Sequence, residues 1–287
     1  MVYATLIITN KYLEMRKYIL KYYFIATAFI LVLGCTKNNN VTNQAFSSFS
    51  LSATGQLKIN YTSAYAANPT VLIKVNNIAV SNLITARTPF PGGGYNTIGS
   101  NYALYLSVPI GTNSVSIVRP KVGTDVDSIV LYSTAVTIPD SSPRTLHIAD
   151  TVVSSTADNT KSVLIQNLIS ALDTGYARFR FVNLMPNVPV IDLYMNGILI
   201  KSSIGYLQAS DTFGIRTGFN APNYANFTTP TWAIRPAGAL ATSSALATYA
   251  SVNTLQSQQV FTVFAMGYSG ATGSRLPYVS FTLDKNQ

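Results

Sequence analysis

The chain has 287 residues, 48% of them hydrophobic and only 10% charged, against about a quarter charged in an average globular domain. Its 18 Tyr and 13 Phe are an aromatic content that disordered chains lack, so a folded protein is expected. The net charge of +9 comes from scattered Lys and Arg with no run of four, whereas nucleic-acid binders cluster their basic residues, so no nucleic-acid partner is expected.

Residues 15–35 read MRKYILKYYFIATAFILVLGC. Arg16, Lys17 and Lys21 form a positive n-region, and residues 22–33 form an apolar h-region, the layout of a secretory signal. The run is shorter than the roughly twenty apolar residues of a spanning helix. Met15 is the expected start, because residues 1–14 add nothing that a signal needs. The segment closes on Leu31-Val32-Leu33-Gly34-Cys35, and Cys35 is the only cysteine. It resembles the lipobox of bacterial lipoproteins, although Leu33 is bulkier than the residue usual there. By that resemblance residues 1–34 are a signal peptide, cleavage follows Gly34, and Cys35 carries a diacylglyceryl group. The lipid makes a membrane the first expected partner. Residues 35–53 are polar and read as a flexible tether. Thr36, rather than aspartate, follows the cysteine, which favours an outer-membrane lipoprotein and leaves its periplasmic or surface face open.

Beyond the tether the sequence repeats itself. Pro69 to Val80 lies 120 residues before Pro189 to Ile200 without a gap. Each segment runs apolar, turns at Asn76-Asn77 or Asn196-Gly197, and resumes apolar. Asn and Gly tolerate the positive φ that both central residues of a type I′ hairpin turn require. Further matches keep similar offsets: Leu57-Lys58-Ile59 with Phe179-Arg180-Phe181, Arg119-Pro120 with Arg235-Pro236, Tyr132 with Tyr249, and Val163 to Gln166 with Val279 to Thr282. Each copy holds short alternating runs split by Gly, Pro and Asn, and no window of twelve residues has a helical period. The expected fold is all-β: two tandem antiparallel β-sandwich (Ig-like) domains, at 54–170 and 174–287.

In the second copy Arg178-Phe179-Arg180-Phe181-Val182-Asn183 is followed by a Pro186-x-x-Pro189 step, Asp192, a short strand and Asn196-Gly197. This pattern resembles the opening of the DUF4397 family, whose domains occur in bacterial exported proteins and lipoproteins, often in tandem. The resemblance implies β-sandwiches and carries no activity. The first copy keeps Pro69 and Asn76 but has Leu72 where the second has Asp192.

The chemical inventory is short. Glu14 is the only glutamate, and His147 the only histidine. A structural zinc site needs four Cys or His ligands, which excludes one. A Ser–His–Asp triad could use only His147, which lies in the alternating run Thr145-Leu146-His147-Ile148 and is expected on a strand surface. Asp125 and Asp127 could offer two carboxylates to calcium, which wants six to eight oxygens, and no full loop pattern follows. Asp192 is expected to bond turn backbone. The glycine-rich run Pro89-Phe90-Pro91-Gly92-Gly93-Gly94-Tyr95 lacks the lysine of a phosphate loop. Its Phe90 and Tyr95, with Tyr224 and Phe227 of the equivalent loop, are candidate ligand-binding aromatics or local core plugs. No catalytic residue, metal site or cofactor is expected. Two readings stand beside each other: a non-enzymatic lipoprotein that binds a protein partner or holds structure, and a carbohydrate-binding accessory of a glycan-uptake system. A hydrolase would need distant Asp residues to converge.

Overall fold

The structure, a computed structural model, describes residues 54–121, 127–150, 161–167, 169–170, 174–217 and 229–285. The leader, Cys35, the tether, Asp125, Tyr224 and Phe227 lie outside them. Among the described residues no helix is long and apolar enough to cross a membrane.

Among the described residues nine strands make the first half: β1 (Thr54–Tyr61), β2 (Leu72–Val75), β3 (Ile78–Ala79), β4 (Thr88–Phe90), β5 (Leu106–Pro109), β6 (Gly111–Pro120), β7 (Asp127–Ile138), β8 (Pro143–Ala149) and β9 (Lys161–Gln166). Eight described strands make the second: β10 (Tyr176–Asn183), β11 (Val190–Met195), β12 (Ile198–Gly205), β13 (Phe213–Arg216), β14 (Thr231–Pro236), β15 (Ala247–Ala250), β16 (Val260–Met266) and β17 (Tyr278–Lys285). Described helix is confined to two 3₁₀ turns, Val252–Thr254 and Gly273–Arg275.

The strands form four sheets. Their orders are β4-β1-β8-β9, with β5 also on β1, and β3-β2-β6-β7 in the first half. In the second they are β13-β10-β16-β17 and β12-β11-β14-β15. In each half the inward residues of both sheets meet in one core. Leu57, Ile59, Leu146 and Ile148 face Ile73, Val75, Val115 and Ile117 in the first. Phe179, Phe181, Phe261 and Phe281 face Leu193, Met195, Trp232 and Ile234 in the second. The fold is all-β and of sandwich type.

Two details differ from the sequence expectation. One sheet in each half is mixed rather than antiparallel, because β1 runs parallel to β8 and β10 parallel to β16. Parallel neighbours need a long crossover, and the strands of the opposite sheet provide it. The repeat also slips by one residue late in each copy. Thr145 pairs with Ile165 and Thr262 with Thr282, so Ile165 corresponds to Thr282 rather than to Phe281. Side chains alternate between faces, so a one-residue slip exchanges core and outer positions, and apolar similarity had aligned core residues with outer ones.

The paired turns have the expected geometry. Asn76 and Asn77 have φ of 50° and 64°, and Asn196 and Gly197 of 51° and 80°.

Candidate functional site

Alternation along β1 puts Leu57, Ile59 and Tyr61 into the core and leaves Lys58 and Asn60 on the other face. In an isolated sandwich that face meets water. Here Lys58, Asn60, Thr145 and His147 are all fully buried, because the outer face of β1 and β8 packs on the outer face of β16 and β17. Ala149, Ile165, Val182, Leu184, Phe264 and Met266 form an apolar cluster across this junction.

Equivalent residues meet at the junction. Lys58 is paired with Thr145 as Arg180 is with Thr262, and Arg144 with Gln166 as Phe261 is with Leu283. Lys58 Nζ donates to the Leu283 carbonyl at 2.5 Å. Its counterpart Arg180 donates to the Gln166 carbonyl, the equivalent of Leu283, at 2.6 Å. His147 and its counterpart Phe264 have ring centroids 6.2 Å apart. Asn167 donates through Nδ2 to its counterpart Asp284 at 2.9 Å.

The centre of the junction is a polar cluster. Asp284 Oδ1 lies 3.7 Å from Lys58 Nζ, and both side chains are buried. Asp284 Oδ2 accepts from the Thr262 hydroxyl at 2.6 Å. Asn167 Nδ2 also lies 2.9 Å from the Tyr105 hydroxyl and 2.8 Å from that of Thr145. The Tyr105 hydroxyl donates to the Asp284 backbone carbonyl at 3.0 Å, and the Tyr105 ring centroid lies 4.6 Å from Lys58 Nζ. Burial pushes the Lys58 amine below its usual range despite the Asp284 carboxylate beside it. Burial likewise raises the Asp284 carboxyl, with Lys58 opposing the shift. Both shifts favour neutral forms, as expected where charge is desolvated.

His147 is not on a strand surface, as its alternating run suggested, but wholly buried in the junction. Its Nδ1 lies 2.9 Å from Asn60 Nδ2. Burial, then the charges of Lys58 and Arg180, lower its pKa to about 3, so it stays neutral through the ordinary pH range.

The glycine-rich run is a clasp between the halves. Tyr95 N–H donates to the Phe281 carbonyl at 3.1 Å, Phe281 N–H to that of Tyr95 at 2.9 Å, and Leu283 N–H to that of Gly93 at 3.0 Å. The loop thus pairs with β17 as a further strand would. A Cβ on Gly94 would lie 2.0 Å from the Phe281 oxygen, so the close approach requires glycine there. The half-buried Phe90 packs on the first core and the half-buried Tyr95 on the second. Asp192 accepts from the backbone N–H of Ser203 at 2.7 Å and of Gly238 at 2.9 Å, which accounts for it. The Tyr278 ring lies 4.0 Å from the Arg87 guanidinium, and the Tyr268 hydroxyl donates to Asp150 at 2.7 Å.

A shallow pocket beside Arg178, Arg180, Thr212 and Asp284 has a volume of about 10 Å³, room for roughly one water molecule. No three His, Cys, Asp or Glu side chains gather as metal ligands among the described residues. Sequence reading did not single out Lys58, Asn167 or Asp284 as a site. Each is one polar residue in a strand or at its end, and the signal joining them is the three-dimensional docking of the halves. No family model and no curated protein matches the chain.

Proposed function

We propose that this protein is a membrane-anchored, non-enzymatic binding or structural module of the bacterial cell envelope, tethered through lipid on Cys35 and related to the DUF4397 domains. The observation that supports this reading is where its reactive side chains lie. Lys58, His147 and Asp284 are buried between the two halves, where they join sandwich to sandwich instead of meeting a substrate. The surface left for a partner is built of Ser, Thr, Asn and scattered apolar residues such as Tyr102 and Leu240. The outer membrane is the compartment that the lipid signal favours, and the partner is a protein or a glycan of the envelope.

Metabolic labelling with a fatty-acid probe, followed by membrane fractionation, tests the anchor. Wild-type protein should be labelled and sediment with membranes, and Cys35→Ser should be unlabelled and soluble. An unlabelled wild type with unchanged fractionation overturns the anchor. Retention of the protein on immobilised polysaccharide would shift the reading to a glycan-uptake accessory, whereas turnover of a glycan would overturn the non-enzymatic reading.

A further inference from the structure

A lysine, a carboxamide and a carboxyl group share one dry site at the junction. Lys58 Nζ and Asn167 Nδ2 lie 3.7 and 2.9 Å from the same oxygen of Asp284. Lys58 is fully buried, and Asn167 and Asp284 are each 3% exposed. Tyr105 spans the two prospective partners, its ring facing the amine and its hydroxyl reaching the carboxamide. Among the described residues, Asp284 is the one carboxylate acting on Lys58.

The carboxamide has a second telling feature. Its Nδ2, with two hydrogens, faces three oxygens, those of Asp284, Tyr105 and Thr145, while its Oδ1 is buried without a partner among the described residues. The two ends of an Asn amide are assigned from their hydrogen-bond network. That network sets Nδ2 2.9 Å from Asp284 Oδ1, within reach of a proton from the acid form.

We propose that Lys58 and Asn167 join in an intramolecular isopeptide bond, with Asp284 as the proton relay. The neutral Lys58 amine attacks Asn167 Cγ, and a C–N bond forms as the carbonyl electrons move to oxygen. Asp284 delivers its proton to the amide nitrogen and then takes one from the attacking nitrogen. The Cγ–Nδ2 bond then breaks and ammonia leaves. One amine and one carboxamide become one secondary amide and one ammonia, so no oxidant or cofactor is required. A buried lysine suits the nucleophile, because desolvation favours the unprotonated amine. A buried aspartate suits the relay, because desolvation favours its protonated form. The bond ties β1 to the residue that follows β9. It closes the first half covalently in a chain whose only cysteine is expected to carry lipid. The relay comes from the second half, so the bond forms only once both halves have folded and docked.

Peptide mapping of the full chain, purified folded and then denatured, tests the bond. Trypsin should fail to cut after Lys58, and the peptides holding Lys58 and Asn167 should appear as one branched species lighter than their sum by one ammonia. In Asp284→Ala the two peptides should separate and cleavage after Lys58 should return. If that variant does not fold, the wild-type map decides alone. Free, unmodified Lys58 and Asn167 peptides from wild-type protein overturn the proposal. So does a branched peptide that joins Lys58 to Asp284 with loss of water.

Discussion

The outer face of the first half and the outer face of the second, met at the junction, have one geometry and different chemistry. Lys58 stands where the second half has Arg180, His147 where it has Phe264, and Asn167 where it has Asp284. Lys58 and Arg180 reach reciprocal carbonyls, and His147–Phe264 and Asn167–Asp284 touch their own counterparts. Self-contact of equivalent positions is the signature of an isologous interface, the kind that a two-fold dimer forms. Two joined copies no longer need identical surfaces. One side can hold the lysine and the carboxamide while the other holds the carboxyl. The difference teaches that such a site arises after duplication, because two identical faces would have placed like groups against each other.

The largest break in the comparison should come from Asp284→Ala. It removes the carboxyl of the Lys58–Asp284 pair, which the Thr262 hydroxyl and the Asn167 amide also bond, and buried groups left without a partner cost roughly 1–3 kcal/mol each. Chemical unfolding of the full chain checks this. A loss within error of zero would show that the junction does not depend on this pair.

Gly94→Ala tests the asymmetric part, the clasp that the first half lays on β17. The new Cβ meets the Phe281 carbonyl, and the Tyr95–Phe281 and Leu283–Gly93 backbone bonds cannot all persist. The expected loss is about 2–4 kcal/mol, since buried backbone groups lose partners at roughly 1–3 kcal/mol each. Hydrogen exchange should show Phe281 and Leu283 amides losing protection while the first core keeps its own. Uniform loss in both halves would mean that the clasp is not a local feature.

The smallest effect sharpens the symmetric part, the repeated hairpin turn. At Gly197 a Cβ has open space, so the cost of Gly197→Val is backbone strain alone, about 1–3 kcal/mol for a residue forced to positive φ. Asn77→Val should cost less, because Asn77 already carries a side chain at φ 64°. Thermal unfolding of the two variants gives the ordering, and a larger loss at position 77 would contradict it.

The repeat, the all-β class and the Asn-Gly turn were legible in the sequence because each is written in local pattern: alternation of period two, turn residues, and a recurring offset. Pairing between neighbouring segments follows from those signals. The parallel pairs β1–β8 and β10–β16 were not legible, since no local residue says which distant strand lies alongside. The one-residue slip near Ile165 was hidden for a related reason. Apolar runs look alike in either register, and only burial of one face distinguishes them.

By itself the sequence determined the sandwich architecture, the lipid-anchor expectation at Cys35 and the poverty of catalytic groups. Tertiary structure alone decided that a face carrying Lys58, Asn60 and His147 is dry. Polar residues on alternate strand positions read as solvent-exposed for any single sandwich, and they become buried only when a second sandwich supplies matching hydrogen bonds and covers them. The same docking turned the glycine-rich run from an open loop into a strand partner. A gap that only glycine fits becomes visible when the backbone on its far side is in place.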